Sequence, residues 1–353
     1  MKSNLFICTT PYDIFNSVNL KISVYHDYKS DIIIMNNFEN SFKYIDLLEK
    51  ANIFNEVIFI KRTYKENFKK KITLNRIINR FIEIFNCYEF YGLFSIKCYD
   101  KICCSYNERI CRIIYQRLAK KKKIEIDLFE DGLSTYLELP FIRNNKIHRI
   151  LKKKEYNLKS LYVYDKKLLC WENSSIDISN IPTLNESKQH YISSIFNINS
   201  NINNFKEIIY LDQPVEELNI DISRKDIADF IIRYFEANDI TLKLHPRKQN
   251  FLYDKYNFQI INNNILPWEV MSMQLANKII ITFHSTAALT PIFLYNKNNK
   301  IIFLYKLFSK TLLDKKVEEF LVKVENEYPN KVFIPKNENE LEEIINNIRV
   351  CFK

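Results

Sequence analysis

Short runs of consecutive apolar residues recur along this chain, separated by longer stretches whose apolar positions return with helical spacing. In the first half, residues 5–9, 31–35, 57–60, 124–129 and 161–164 predict strands. Helices are predicted after the turn at Pro11 and over 44–50, 73–85 and 108–120. The pattern restarts with strands at 207–211, 240–244, 258–261, 279–283 and 301–304, the last clear one. Its helices cover 226–237 and 338–350, one opens at Thr286, and another places Pro267 at its first position with Glu269 in its first turn. Continuous apolar strands joined by helices predict parallel sheets covered on both faces, the α/β class.

Between the two halves polarity rises over 172–204, through Asn180-Ile181-Pro182 and the run 199–204. The division expected is a domain over 1–190, a linker over 191–204 and a second domain over 205–353. A chain of 353 residues is long enough for two cores, and 47% apolar residues with 26 Phe and 22 Tyr can fill them.

Only two glycines occur, Gly92 and Gly132. A P-loop or a dinucleotide fingerprint needs several in one tight turn, so both are excluded. The net charge of +10 favours an anionic partner: a negatively charged metabolite or an acidic membrane surface. Its lysines gather in 61–71 and 120–123, and a merely solvated basic face is the plain alternative. With no zinc finger or arginine-rich recognition helix, nucleic acid is not expected as a partner. The eight cysteines form no CxxC pair and read as small apolar residues with reduced thiols. No leader or membrane-spanning run is visible, so a soluble cytoplasmic protein is expected.

Three motifs follow strand ends, where open parallel sheets bind ligands. The first is Glu130-Asp131-Gly132. Adjacent side chains on an extended backbone point oppositely, so one carboxylate can face a cleft as a base while the other braces the turn. An ordinary Asp-Gly turn explains the same residues. The second is His245-Pro246-Arg247. Pro246 restricts the backbone before it, Arg247 adds a fixed positive charge, and the imidazole can serve a leaving phosphate as an acid. A histidine closing a strand is the bland reading. The third, His284-Ser285-Thr286, can cap the next helix or bind an anion at its start. The histidines show no metal-ligand spacing, and no GxSxG elbow exists, so neither a metal site nor a serine hydrolase is expected.

Taken together these motifs resemble the signature of bacterial sialyltransferases, most of all the lipooligosaccharide sialyltransferases of glycosyltransferase family 52. The likeness runs patchily from residue 5 to about 305 and includes the first strand and turn up to Thr10, the strand before Pro214, residues 244–249, the helix with Glu269, and residues 283–289. It implies a GT-B-like enzyme, two Rossmann-like domains with parallel sheets facing a cleft. Such an enzyme moves sialic acid from CMP-sialic acid to a galactose-type hydroxyl of a bacterial surface glycan, with inversion and no metal or other cofactor. The resemblance makes His245 the acid, Ser285 and Thr286 the phosphate ligands, and Glu269 the ribose ligand. Pro246, Arg247 and Thr10 are counted with the donor-binding residues. The closest sialyltransferases carry a catalytic aspartate after the proline, where this chain has Val215. Asp212 and Glu216 are the nearby carboxylates, but related sialyltransferase families use the first acidic residue of the acidic-acidic-Gly motif as base, so the resemblance implies Glu130, with Asp212 in reserve. Family 52 also includes enzymes assigned to glucosyl transfer, which keeps a UDP-hexose or another CMP-sugar open as donor. A glycan-binding protein without turnover is the non-enzymatic alternative. A lipid-linked acceptor implies peripheral membrane contact through the basic patches, and similar enzymes suggest a homodimer.

Overall fold

A computed structural model describes residues 1–60, 97–105, 109–139, 156–198, 205–218, 220–245, 252–261, 266–308 and 313–352. The predicted helix at 73–85, the lysine group 61–71, Gly92, Pro246 and Arg247 lie outside the described residues.

Strands β1 (Ser3–Cys8), β2 (Lys29–Met35), β3 (Glu56–Ile60), β4 (Lys101–Cys104), β5 (Glu125–Phe129), β6 (Leu158–Val163) and β7 (Asp177–Asn180) form one sheet, ordered β3-β2-β1-β4-β5-β6-β7. From β3 to β5 every neighbouring pair is parallel. A second sheet is built from β8 (Ile208–Leu211), β9 (Ile240–Lys243), β10 (Gln259–Ile261), β11 (Ile279–Thr282), β12 (Lys300–Phe303) and β13 (Val332–Phe333). Its order is β10-β9-β8-β11-β12-β13, parallel throughout. Central strands are buried along their whole length: Leu5 to Cys8, Ile208 to Leu211 and Ile279 to Thr282. Burial on both faces is why they read as unbroken apolar runs and not as alternation.

The chain divides into two compact units. One comprises Met1–Phe129 and Phe141–Leu161, the other Glu130–Pro140 and Tyr162–Lys353. The Glu-Asp-Gly turn thus groups with the second unit, and packing explains it. The short helix Leu133–Leu137 after the turn sets the Tyr136 ring 5.1 Å from that of Phe320. The Trp171 indole donates to the Thr135 carbonyl at 2.9 Å.

Local chemistry fixes the helix ends. Thr10 caps the helix Pro11–Ser23: its hydroxyl accepts from Asp13 N–H, and the Asp13 carboxylate accepts from Thr10 N–H at 3.0 Å. Pro11 takes the first helical position, where no N–H is missed. Corners usually left to glycine are taken by asparagine. Asn40, Asn52, Asn197, Asn257, Asn277, Asn296 and Asn330 all have positive φ, between 49° and 64°.

Several elements differ from expectation. The polar stretch after 172 holds β7 and a helix, Glu186–Ile195, because its few apolar residues (Ile176, Ile181, Leu184, Ile192, Ile195) are all buried. Of the linker range, residues 191–195 are therefore helical, and 199–204 lie outside the described residues. β12 is followed by a further strand, the two-residue β13, too short to signal itself. Pro267 is the N-cap of the helix Trp268–Ser272, not its first residue; its ψ of 146° is extended, not helical. Among the described residues no helix is long and apolar enough to cross a membrane.

Candidate active site

In the second sheet, β8 leads to β9 and β10 on one side, while β11, β12 and β13 fill the other. The order reverses between β8 and β11, and in open parallel sheets ligands bind at such a reversal, beyond the carboxyl ends of the strands. Asp212 and Gln213 leave β8 at this point, His245 follows β9, and His284, Ser285 and Thr286 follow β11. Four of the sequence candidates, Asp212, His245, Ser285 and Thr286, therefore follow neighbouring strands.

Hydrogen bonds tie them. One Asp212 oxygen accepts from the Tyr253 hydroxyl at 2.6 Å, the other from the His245 backbone N–H at 3.2 Å. Burial pushes the Asp212 carboxyl above its usual pKa, while Tyr253, the His245 amide and Arg224 oppose the rise. The Gln213 amide oxygen accepts from His284 N–H at 3.0 Å, and its nitrogen lies 3.2 Å from His284 Nδ1. Burial lowers the His284 pKa, so the ring is neutral near pH 7. Val215, two residues after Gln213, is fully buried.

The turn after β11 differs from the expected cap. Ser285 is the N-cap of a 3-10 turn, Thr286–Leu289, but its hydroxyl makes no capping bond. The turn closes through backbone alone, from Ala288 N–H to the Ser285 carbonyl at 3.2 Å. Ser285 and Thr286 are both half-buried. Two further elements converge on this turn. The Trp268 indole donates to the Ala287 carbonyl at 2.7 Å, anchoring the helix that carries Glu269. A Cβ on Gly132 would stand 3.7 Å from the Thr286 hydroxyl, so the Glu-Asp-Gly turn lies directly against the Ser-Thr turn.

Gly132 has φ 82° and ψ −148°, a conformation that side chains with a Cβ avoid, which accounts for a glycine here in so glycine-poor a chain. Glu130 is 3% exposed. Its Oε2 accepts from the Tyr136 hydroxyl at 2.5 Å and from Tyr164 N–H at 2.8 Å. Asp131 is half-buried, and its backbone N–H donates to the Thr135 hydroxyl at 2.9 Å. Burial pushes the Glu269 carboxyl up to about 7, with Lys243 pulling it back. The same burial lowers Lys243, which Glu269 and Asp212 partly offset.

Glu130, Asp212, His245, Glu269, Ser285 and Thr286 all belong to the second unit. Thr10 belongs to the first, where its hydroxyl is engaged in the helix cap. Gln213, Tyr253, Tyr136 and Trp268 were not singled out from the sequence. Only Gln213, beside Asp212 at a strand end, carried a readable signal. The others act through contacts distant in sequence.

Solved structures similar to this chain share its two-sheet architecture. Arabidopsis thaliana UGT89C1 complexed with UDP aligns over 100% of this chain and 93% of its own, with a TM-score of 0.55 at 9% identity. S. aureus MnaA with UDP aligns over 99% and 88%, with a TM-score of 0.51 at 13% identity. These likenesses establish the GT-B fold, two parallel-sheet α/β domains. No curated protein matches the sequence. The model of the alpha-2,8-polysialyltransferase family matches residues 4–303. The chain belongs to the alpha-2,8-polysialyltransferase family and is a glycosyltransferase of the sialyltransferase kind, an enzyme built for a nucleotide-sugar donor and a glycan acceptor.

Proposed function

We propose that this enzyme transfers sialic acid from CMP-sialic acid to a sugar hydroxyl of a surface glycan, with inversion and without a metal. The observation that carries the reading is the apposition of the Glu-Asp-Gly and Ser-Thr turns in the unit that also holds His245. In the proposed step Glu130 takes the proton of the acceptor hydroxyl as its oxygen bonds to the anomeric carbon. The bond from that carbon to the CMP phosphate oxygen breaks, and CMP leaves with the electron pair. His245 donates a hydrogen bond or proton to the leaving phosphate, and Ser285 and Thr286 hold its other oxygens. Pro246 and Arg247 complete the phosphate side, and Glu269 holds the ribose hydroxyls. Asp212 stays the reserve base, although both its oxygens already accept bonds that orient His245.

The family description favours an acceptor that already ends in sialic acid, extended through α-2,8 bonds. The family 52 resemblance favours a galactose-type terminus. Release of CMP from CMP-sialic acid, measured with oligosialic acid and with lactose as acceptors, separates the two. Absence of transfer to any glycan together with absence of CMP binding overturns the proposal. Val215 motivates a second donor reading, a UDP-hexose or another CMP-sugar; UDP displacing a bound donor analogue where CMP fails would favour the UDP form.

The reading places the enzyme in a bacterial cytoplasm, working on a lipid-linked acceptor in peripheral contact with the inner membrane. Residues 205–353 serve the donor in this scheme, and a homodimer is the assembly carried by similar enzymes. Light scattering on the purified chain tests the last point.

A further inference from the structure

Arg224 opens the helix Arg224–Ile231 in the second unit, directly after the capping box made by Ser223 and Asp226. Its Nε donates to the Glu216 carboxylate at 2.9 Å, and its backbone N–H donates to the same carboxylate at 3.2 Å. Nη1 is buried, bonds to no atom among the described residues, and stands 4.0 Å from Asp212 Oδ2. The Asp212 side chain is fully buried there, whereas that of Glu216 is exposed. One guanidinium thus faces two carboxylates, bonded to the outer and set against the inner. Pairing with Glu216 alone leaves the burial of an unbonded Nη1 without a return, since stripping water from such a group is costly. The carboxylate in front of it accounts for the arrangement.

Asp212 in turn brackets the strand end that leads to His245. Its N–H donates to the Lys243 carbonyl at 3.1 Å, and Oδ2, the oxygen facing Arg224, accepts from the His245 N–H at 3.2 Å. A hydrogen bond to an ionised acceptor is about twice as strong as one to a neutral acceptor, so this hold on the His245 backbone depends on the Asp212 charge. Among the described residues, the ionisable groups around that carboxylate are Tyr210 on its own strand, Tyr253, Lys243 and His245 on the β9 side, and Arg224 with Glu216. Burial favours the neutral acid, while the Tyr253 hydroxyl, the His245 amide and Arg224 favour the anion. Only Arg224 among the described residues brings a permanent positive charge to within 4.0 Å.

We propose that Arg224 is a positioning residue that acts on His245 through Asp212. The inference rests on the sialyl-transfer reading for what His245 does to the leaving phosphate. Arg224 touches neither donor nor acceptor in this scheme. It keeps Asp212 a charged acceptor at the working pH, and Asp212 holds the backbone that carries the imidazole. Tyr253 is the second support: it is buried, with its ring 6.2 Å from that of Tyr210 and 6.4 Å from that of Phe258, so its hydroxyl is fixed on Asp212. Asp212 thereby gains a task other than that of base.

NMR on the full chain, labelled only at histidine nitrogens, tests this without relying on turnover. The sequence has five histidines, and the His245 amide signal is the one lost in His245→Ala. Its shift reports whether its acceptor, Asp212, is charged. In Arg224→Met the titration midpoint of this signal is expected to rise by about one pH unit or more, the effect of removing an opposite charge at this range. Arg224→Lys keeps the midpoint near that of the wild type, and Tyr253→Phe raises it with Arg224 still in place. CMP release from CMP-sialic acid is followed over the same pH range. The acid limb of kcat moves with the amide midpoint, about tenfold in turnover for each unit, while KM for the donor changes little. Circular dichroism confirms that each variant is folded, and Arg224→Gln takes the place of an Arg224→Met that does not fold. An unmoved midpoint overturns the proposal, as does an Arg224→Lys that behaves like Arg224→Met. Turnover lost in Asp212→Asn beside an active Glu130→Gln also overturns it, because Asp212 is then the base. A wild type that releases no CMP fails the transfer reading, and the amide titration still decides the link from Arg224 to His245.

Discussion

Loss of the imidazole in His245→Ala is expected to lower turnover by about 10² or more, the scale of a missing general acid, while the melting curve holds. Glu130→Gln keeps the bonds from Tyr136 and Tyr164 but cannot take a proton, and a comparable loss is expected in single-turnover assays. Asp212→Asn separates the two candidate bases: a dead Asp212→Asn beside an active Glu130→Gln moves the base to Asp212. Glu269 offers a test by pH. Its carboxyl, raised from 4.5 to about 7 by burial, holds a proton in the folded protein that the unfolded chain has released. The stability tied to that proton is full below pH 4.5 and gone once the pH passes 7, about 3 kcal/mol at most. Glu269→Gln, uncharged throughout, should remove this component, and melts of both proteins between pH 4 and pH 8 measure it.

Turns and strand ends carry the site, and there single substitutions act through the backbone. Gly132→Ala meets no clash, since Thr286 Oγ1 is at ordinary contact distance, but it forces a conformation reserved for glycine. A cost of about 1–3 kcal/mol in chemical denaturation is expected, with donor use impaired because the acidic turn shifts against the Ser-Thr turn. Most such elements were legible in the sequence. β11 is a nearly unbroken apolar run before His284, and β5 and β9 keep a readable signal before Glu130 and His245 despite Asp127 and Lys243, because Ile126, Leu128, Phe129, Ile240, Leu242 and Leu244 are buried. β4 escaped notice because it is only four residues long and opens on Lys101, although Ile102, Cys103 and Cys104 are buried. The helix Lys315–Glu327 also went unread. Among its charged residues only Phe320, Leu321 and Val324 are buried, too narrow a stripe to stand out. The parts of the site supplied by Tyr253, Tyr136 and Trp268 were out of reach for another reason. Each hydrogen bond joins residues between 6 and 41 positions apart, and only the packed fold shows which pairs meet.

The whole molecule carries a net charge of +10, and flotation with anionic vesicles tests what that charge does. Binding at low salt that disappears at high salt supports peripheral association, at about 1 kcal/mol for each lysine or arginine near the surface. A protein that stays unbound at low salt removes the membrane contact and leaves the chemistry of the second unit untouched. The asparagine corners have a consequence at this same scale. Glycine-rich turns leave an unfolded chain loose, and folding must then remove that freedom. This chain makes seven described corners with a residue that carries a Cβ. As a polymer it is stiff before it folds, so each corner gives up less backbone entropy, about 0.4–1 kcal/mol less where the residue fits without strain. The residual left-handed strain works the other way, inside the folded state. Two opposed terms, one held in each state, leave little net change in stability when such an asparagine becomes glycine.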